Sequence, residues 1–387
     1  MKTEKLGNCC LIKGGFAFKS ELYQNKGTPI IRISNIIDER IIINNNTVYF
    51  KGNNNELKDY NIKFGDILIA LSGATTGKFG IYDSHKEALL NQRVGLIRTN
   101  ENKLYNKYLF YFLFRIRNKI FNKAQGVAQP NLSNSDLENT KIPLPPLSEQ
   151  KQITETLDKV DNLRQKRKQS IQLLDDYIKS VFYNIFGNPV INQFKFKKGK
   201  IKDLVTDVKY GTSSPAEENG KYPYLRMNNI TYDGYMDLED LKYINIDDNY
   251  KEKYSVRKND LLFNRTNSKE LVGKTGIFNE DREMIIAGYL IRVRTNNLAN
   301  PWYIWGCLNS LHGKKVLLSM CKSIIGMANI NAQELQNIDI LIPPINLQNQ
   351  FAKTVQKSLH LKSKMEESLK EIENLFNSLM QKYFSNN

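Results

Sequence analysis

Short apolar runs at turn spacing fill most of this chain, and two long stretches instead repeat apolar residues every three or four positions. The runs "PIIRIS", "DILIAL" and "RVGLIRT" read as strands bounded by turn residues. The stretches "NKYLFYFLFRIRNKI" and "NPWYIWGCLNSLHGKKVLLSM" each read as one helix packed on such strands. The period changes at the proline pairs Pro145-Pro146 and Pro343-Pro344, where proline can end a strand or loop and a helix can begin just beyond. Stepping three and four residues from Gln150 gives Ile153, Leu157, Val160, Arg164, Arg167, Ile171, Leu174, Ile178, Val181 and Ile185. The same steps from Gln348 give Phe351, Val355, Ser358, Lys362, Met365, Leu369, Ile372, Phe376, Leu379 and Tyr383. This spacing predicts a coiled-coil seam on two helices, each of about 37 residues and roughly 55 Å. "FGNPV" ends the first, with Gly187 as C-cap and Pro189 preventing continuation. In an antiparallel pair, Arg164 and Arg167 would face Ser358 and Lys362, setting the register or admitting a third helix.

The chain also repeats itself. "PIIRISNI" from Pro29 recurs as "PYLRMNNI" from Pro223, and "KFGDILIA" recurs as "RKNDLLFN", with Asp66 against Asp260. "GKFGIY" from Gly77 recurs as "GKTGIF" from Gly273, "RTN" from Arg98 as "RTN" from Arg294, "GVAQPN" from Gly126 as "GMANIN" from Gly326, and "IPLPPL" as "ILIPPI". Order and near-constant spacing indicate a tandem duplication with small loop insertions. The expected fold is α+β: two tandem α/β units, each followed by a long helix, the helices pairing antiparallel about a pseudo-two-fold axis. The boundaries read from the sequence are 1–145, 146–188, 189–344 and 345–387.

The repeat also answers a misleading motif. "VGKTGIF" contains the tail of a phosphate-binding loop, but Ser268 stands where that loop needs its first glycine, and a strand pattern follows where a helix is required. Its sister carries Phe79 in place of Ser or Thr, so the shared feature is a Gly-Lys-x-Gly turn between strands.

Charge narrows the class of partner. Lys and Arg number 56 against 40 Asp and Glu, a net +16, with a sequence pI near 9.4. Such an excess favours a polyanion, foremost nucleic acid, although a solvated basic surface would give the same balance. Four cysteines form no C-x-x-C pair and the three histidines lie far apart, so neither a disulfide framework nor a metal site is readable. No apolar run approaches the ~20 residues of a membrane span, and the first ten residues contain no apolar signal core; no membrane and a cytoplasmic location are expected.

These residues resemble the specificity subunit of Type I restriction-modification systems. The resemblance rests on "GGFAFKS", "IRISNI", "FGDILIALSGATTGK", "NQRVGLIR", "IPLPPLSEQ" and "VFYNIFGNP", with looser repeats in the second half. It implies that 1–145 and 189–344 are target-recognition domains, each reading one half of a split double-stranded DNA site. The helices 146–188 and 345–387 would be spacers that dock two modification subunits. Those partners would bring S-adenosylmethionine and methylate adenine, while restriction subunits would bring ATP, Mg, translocation and cleavage; this chain would bind no cofactor and no metal. The helix starts at Gln150, Ile153, Gln348 and Phe351 are the expected partner contacts. The second half departs from the pattern at "INLQNQ", which lacks a counterpart of Glu149, and at "VKYGTSSP", which stands where the first has Gly14 to Phe16.

The residues themselves agree on the absence of catalysis. No N-P-P-Y-like motif is present, since "GNPV" lacks the second proline and the aromatic, and no G-x-G-x-x-G occurs. Polar segments between apolar strands supply the candidates for DNA contact. In the first unit these are Lys19, Ser72, Thr75, Thr76, Lys78, Asn91, Gln92, Arg93, Gln129 and Asn131. In the second they are Thr212, Ser213, Asn264, Arg265, Thr266, Asn267, Lys269, Lys274, Asn329 and Asn331. The alternative at each is a residue that simply makes a turn. Arg32 and Arg226 suit an internal pair as well as a phosphate. Two readings of other classes remain, an autonomous DNA-bridging protein and an enzyme with an unrecognised site.

Overall fold

The computed structural model describes residues 2–52, 54–73, 75–124, 131–324 and 327–384, without the side chains of 54–55, 118–124 and 322–324. In chain order its helices are α1 (Asn106–Ala124), α2 (Asn134–Glu138), α3 (Leu147–Phe186), α4 (Asp248–Tyr254), α5 (Pro301–Asn309), α6 (Leu311–Met320), α7 (Ala332–Gln336) and α8 (Ile345–Phe384). The chain divides into two compact units, Met1–Arg167 with Ser368–Asn387, and Lys168–Glu367. Each long helix, 40 residues in both cases, therefore contributes one half to each unit.

The first unit holds two sheets. In one, Cys10–Gly14, Val94–Thr99, Ile67–Ala70, Phe79–Ile81, Arg40–Ile41 and Ile36–Ile37 lie in that order. In the other, Val48–Phe50, Thr28–Ile31, Ala88–Leu90 and Asn61–Ile62 do, with Ala88–Leu90 running parallel to Thr28–Ile31. A separate antiparallel pair, Thr3–Lys5 with Lys141–Pro143, brings the chain back to its start before α3. One core joins the sheet residues Ile67, Ile69 and Ile97 to Tyr108, Tyr111 and Phe112 of α1, Ile153 and Leu157 of α3, and Phe376, Met380 and Phe384 of α8.

The second unit repeats the plan. Val205–Tyr210, Leu290–Thr295, Leu261–Asn264 and Thr275–Ile277 form one sheet. Lys242–Ile244, Tyr222–Leu225, Met284–Ile286 and Ser255–Val256 form another, and Lys197–Lys200 pairs with Asp339–Ile342 ahead of α8. The single helix expected over 300–320 is two, because Ser310 closes α5 and its hydroxyl caps α6 by accepting from Gly313 N at 3.0 Å. Gly313 is required there: a Cβ would stand 2.1 Å from Cys307 O.

The seam predicted for the long helices is real. Every position in it is buried or half-buried, and in the second unit Phe182 meets Phe351 at 5.5 Å between ring centres while Asp175 meets Lys362 at 2.8 Å. Residue numbers rise along α3 as they fall along α8, so the pair is antiparallel. The seam is filled by the globular units as well as by the helix pair, since Gly306 of α5 lies so close to Phe182 and Phe351 that a Cβ would come within 2.9 Å of both rings. Two of the polar interruptions are held by side chains of their own unit. In the first unit, Arg164 pairs with Asp161 at 2.6 Å and lies 4.5 Å from the Phe376 ring centre. In the second, Lys362 is held by Asp175 and the face of Tyr235. Arg164 and Lys362 belong to different units, and each of the two has its partner within its own unit.

Gln150 and Gln348 explain how each helix is joined to its unit. Gln150 Oε1 accepts from Tyr105 N at 2.8 Å, and its Nε2 donates to Lys103 O and Pro145 O. Gln348 repeats all three bonds, from Asn300 N and to Leu298 O and Pro343 O. The expectation that these helix starts contact partner subunits is therefore corrected. Gln150, Gln348 and Phe351 are 0 % exposed and Ile153 is 4 %, because a buried amide must spend its hydrogen bonds inside and the apolar pair completes the core.

Candidate nucleic-acid interface

One backbone mesh gathers the polar segments of each unit. In the first, Phe16 N donates to Leu90 O, Gln92 N to Phe16 O, Leu71 N to Arg93 O, Leu132 N to Leu71 O, and Ala70 N to Lys78 O. In the second, Thr212 N donates to Ile286 O, Gly288 N to Thr212 O, Arg265 N to Tyr289 O, Ile330 N to Arg265 O, and Asn264 N to Lys274 O. These are the same five bonds. Both meshes need a glycine at the crossing, as a Cβ on Gly15 would lie 2.3 Å from Asn91 O and one on Gly211 would lie 2.2 Å from Ile286 O. "VKYGTSSP" thus answers the Gly-Gly-Phe stretch at the one position where the backbone demands it.

The mesh also corrects the pairing of positions. Asn131 forms a bridge with Ser72, and Asn329 pairs with Thr266, so Asn131 matches Asn329. Asn331 matches Ser133, and both are helix caps: Ser133 Oγ accepts from Asp136 N at 3.1 Å, and Asn331 Oδ1 accepts from Gln333 N and Glu334 N at 2.9 Å each.

The candidates fall into three groups by exposure. Lys19, Lys78, Gln92, Arg93, Asn131, Ser213 and Lys269 are exposed, and Ser72, Thr75, Arg265, Thr266, Asn267, Asn329 and Asn331 are half-buried. Thr76, Asn91, Thr212, Asn264 and Lys274 are buried, which corrects their reading as contacts. Thr76 donates to Gly73 O at 2.7 Å, Asn91 Oδ1 accepts from Arg93 N at 3.3 Å, Thr212 Oγ1 bonds Ser214, and Asn264 Oδ1 accepts from Thr266 N. Lys274 donates to Met227 O at 2.8 Å, and burial pushes its ammonium below the usual lysine range. Its sequence match, Lys78, is exposed. Gln129 lies outside the described residues. Arg32 and Arg226 pair internally, with Asn46 O and Asp240 respectively.

The phosphate-loop lookalike is a turn. Gly77 and Gly273 take φ of 84° and 79°, and the strands Phe79–Ile81 and Thr275–Ile277 follow.

Three aromatic residues complete the surface and were not singled out from the sequence. Phe16, 36 % exposed, packs edge-on against Tyr60. Tyr289 is 52 % exposed, at the place matched by Arg93. Tyr210 lies under the guanidinium of Arg265 at 4.8 Å. Placing "AGYLIRVR" against "NQRVGLIR" from the shared Arg98 and Arg294 would have set Tyr289 opposite Arg93. In the second unit a cleft of about 770 Å³ opens among Tyr210, Thr212, Ser213, Arg226, Arg265 and Tyr289. Stacking faces, amides and cations around open clefts can take base edges and phosphates. Among the described residues no group of three or more His, Cys, Asp and Glu could hold a metal ion, and no helix is long and apolar enough to cross a membrane.

Comparison with known proteins gives one answer. The family model for the Type I restriction modification DNA specificity domain matches residues 1–173 and again 194–374. The chain is 24% identical to the Type I restriction enzyme EcoKI specificity subunit of Escherichia coli K12, over 92% of this chain and 81% of that one. It is 26% identical to the EcoBI specificity subunit of Escherichia coli, over 96% and 83%. It is also 33% identical to the putative MjaX specificity subunit of Methanocaldococcus jannaschii over 51% of this chain and 48% of that one. Among solved structures, the S subunit of a Type I system from M. genitalium superposes with a TM-score of 0.61, covering 100% of this chain and 96% of that one at 14% identity. The fold of two matched units on paired long helices is thus one that a Type I specificity subunit adopts. A family model matched twice, over nearly all of the sequence, shows that this chain belongs to the Type I restriction-modification DNA specificity subunits, the non-catalytic component of those enzymes.

Proposed function

We propose that each unit reads one half of a split double-stranded DNA sequence and that α3 and α8 fix the gap between the halves. The observation that carries this reading is the pair of meshes, alike in backbone and different in side chains: Phe16 against Thr212, Leu71 against Arg265, Gln92 against Gly288, Arg93 against Tyr289. A duplicated frame with divergent faces suits two different half-sequences. Exposed Lys19, Lys78, Arg93 and Lys269 supply phosphate contacts, which position the protein without selecting sequence.

With the helix starts buried, the docking surface for two modification subunits is the outward faces of the long helices. Leu173 and Tyr177 on α3 are 65% and 52% exposed, and Leu361 on α8 is 44% exposed. The partners bring S-adenosylmethionine and methylate adenine; restriction subunits add ATP- and Mg-dependent translocation and cleavage.

The test is a map of modified adenine in DNA from cells expressing this chain with its modification subunit. A motif of two short fixed halves around a constant gap, absent when this chain is omitted, is the expected result. Methylation that ignores the omission would point instead to an autonomous bridging role.

A further inference from the structure

Arg265 is not needed by the fold. The matched position in the first unit is Leu71, whose backbone makes the same two hydrogen bonds, to Arg93 O and from Leu132 N. Three other arginines of these sheets have carboxylates: half-buried Arg98 has Asp66, half-buried Arg294 has Asp260 and fully buried Arg292 has Asp207. Arg265 has no ion pair among the described residues; its buried Nε has no hydrogen-bond partner, which is true of Arg32, Arg226 and Arg292 as well. Instead the guanidinium rests 4.8 Å from the ring centre of Tyr210, on the wall of the 770 Å³ cleft. An aromatic face at this distance can hold a guanidinium in place, and a planar fork of parallel donors matches the paired O6 and N7 acceptors that guanine presents in the major groove.

We propose that Arg265, positioned by Tyr210, is the residue with which the second unit selects a guanine in its half-site. This rests on the reading that the second unit contacts DNA. A phosphate would also accept from an arginine, but a phosphate contact needs neither an aromatic support nor a concave site, and exposed Lys269 nearby in the sequence already suits that role.

The test uses the full chain in complex with its modification subunit, acting on a library of random duplexes whose modified adenines are then sequenced. Wild type is compared with Arg265→Leu, the residue the first unit carries and therefore one the frame accommodates, and with Arg265→Lys, which keeps the charge and loses the fork. The wild-type motif should contain a fixed guanine. Arg265→Leu should keep the other half and the gap while its preference for that guanine falls about 5- to 150-fold, and Arg265→Lys should fall part of the way. Thermal unfolding of the complexes should coincide. An unchanged motif, a motif without guanine in either half, or a uniform drop in methylation at every site, as loss of a phosphate contact gives, would each overturn the assignment. A wild-type complex with no split motif at all would instead remove the underlying reading, and this assignment with it.

Discussion

At the centre of their matched sheets the two units solve one packing problem in opposite ways. Leu96 in the first unit and Arg292 in the second occupy equivalent positions, and both are 0% exposed. The neighbouring strand carries Leu11 in the first and Asp207 in the second; Asp207 accepts from Arg292 Nη2 at 2.7 Å, and Arg292 Nη1 also donates to Ser255 O. Shared features surround this difference. Asp66 and Asp260 each receive a forked arginine, Arg98 and Arg294, and each also accepts a backbone N–H three residues before it, from Lys63 and Arg257. A duplicated frame is thus held by its backbone bonds and a few repeated polar clamps, and the sites between them are free to change chemistry provided partners change together.

The strongest way to break that comparison is to strand one member of the changed pair. Asp207→Ala leaves the guanidinium of Arg292 buried beside carbonyls alone, and should cost the second unit ~3–5 kcal/mol, read by urea unfolding of the full chain with hydrogen exchange to assign the loss to that unit. Replacing both, Arg292→Leu with Asp207→Leu, imports the first unit's residues and should be close to neutral; a double variant as unstable as Asp207→Ala would show that the units are less alike than their meshes. The pH response carries the same signature. Burial raises the Asp207 carboxyl, but the hydrogen bond and charge of Arg292, with Lys209, outweigh it and hold it below the usual carboxylate range. A depressed folded value gives stability that is present above the unfolded pKa of about 3.9 and is lost as pH falls through the folded value. The double leucine variant should lose less stability than wild type over that acid window.

A smaller effect is expected where the units agree. Gly15→Ala and Gly211→Ala each drive a Cβ into backbone carbonyls that cannot swing aside, and each should cost ~1–3 kcal/mol in its own unit. Unequal costs, read in the same unfolding experiment, would mean that one of the two meshes is the looser.

How much of this was legible in the sequence depended on the kind of signal. The duplication, the antiparallel helices and their seam were readable because apolar spacing survives divergence: Leu157 and Val355 keep their places. Individual site residues were less so, because type alone does not say which way a side chain points. Lys78 and Lys274 sit in the same Gly-Lys-x-Gly turn, yet one is exposed and the other donates to Met227 O. The buried glutamines were misread for the same reason. A polar residue at the start of a long helix reads as surface, and only the loops that fold over it, with Lys103 O and Leu298 O as acceptors, reveal a clamp.

The gentlest test concerns Asn331, whose type suits base recognition and whose position suits capping. Its Oδ1 accepts from two backbone N–H groups of α7, and its own N–H donates to Glu334 Oε2 at 2.9 Å. The first unit places Ser133 with Asp136 in the equivalent box. If the position is a cap, Asn331→Ala should cost ~1 kcal/mol and Asn331→Ser only a few tenths, since serine caps about as well as asparagine. The modified-adenine motif should be the same for both. A motif that shifts in Asn331→Ser while thermal stability holds would make Asn331 a reader of DNA, and would leave the two units less alike at this corner than their shared helix caps imply.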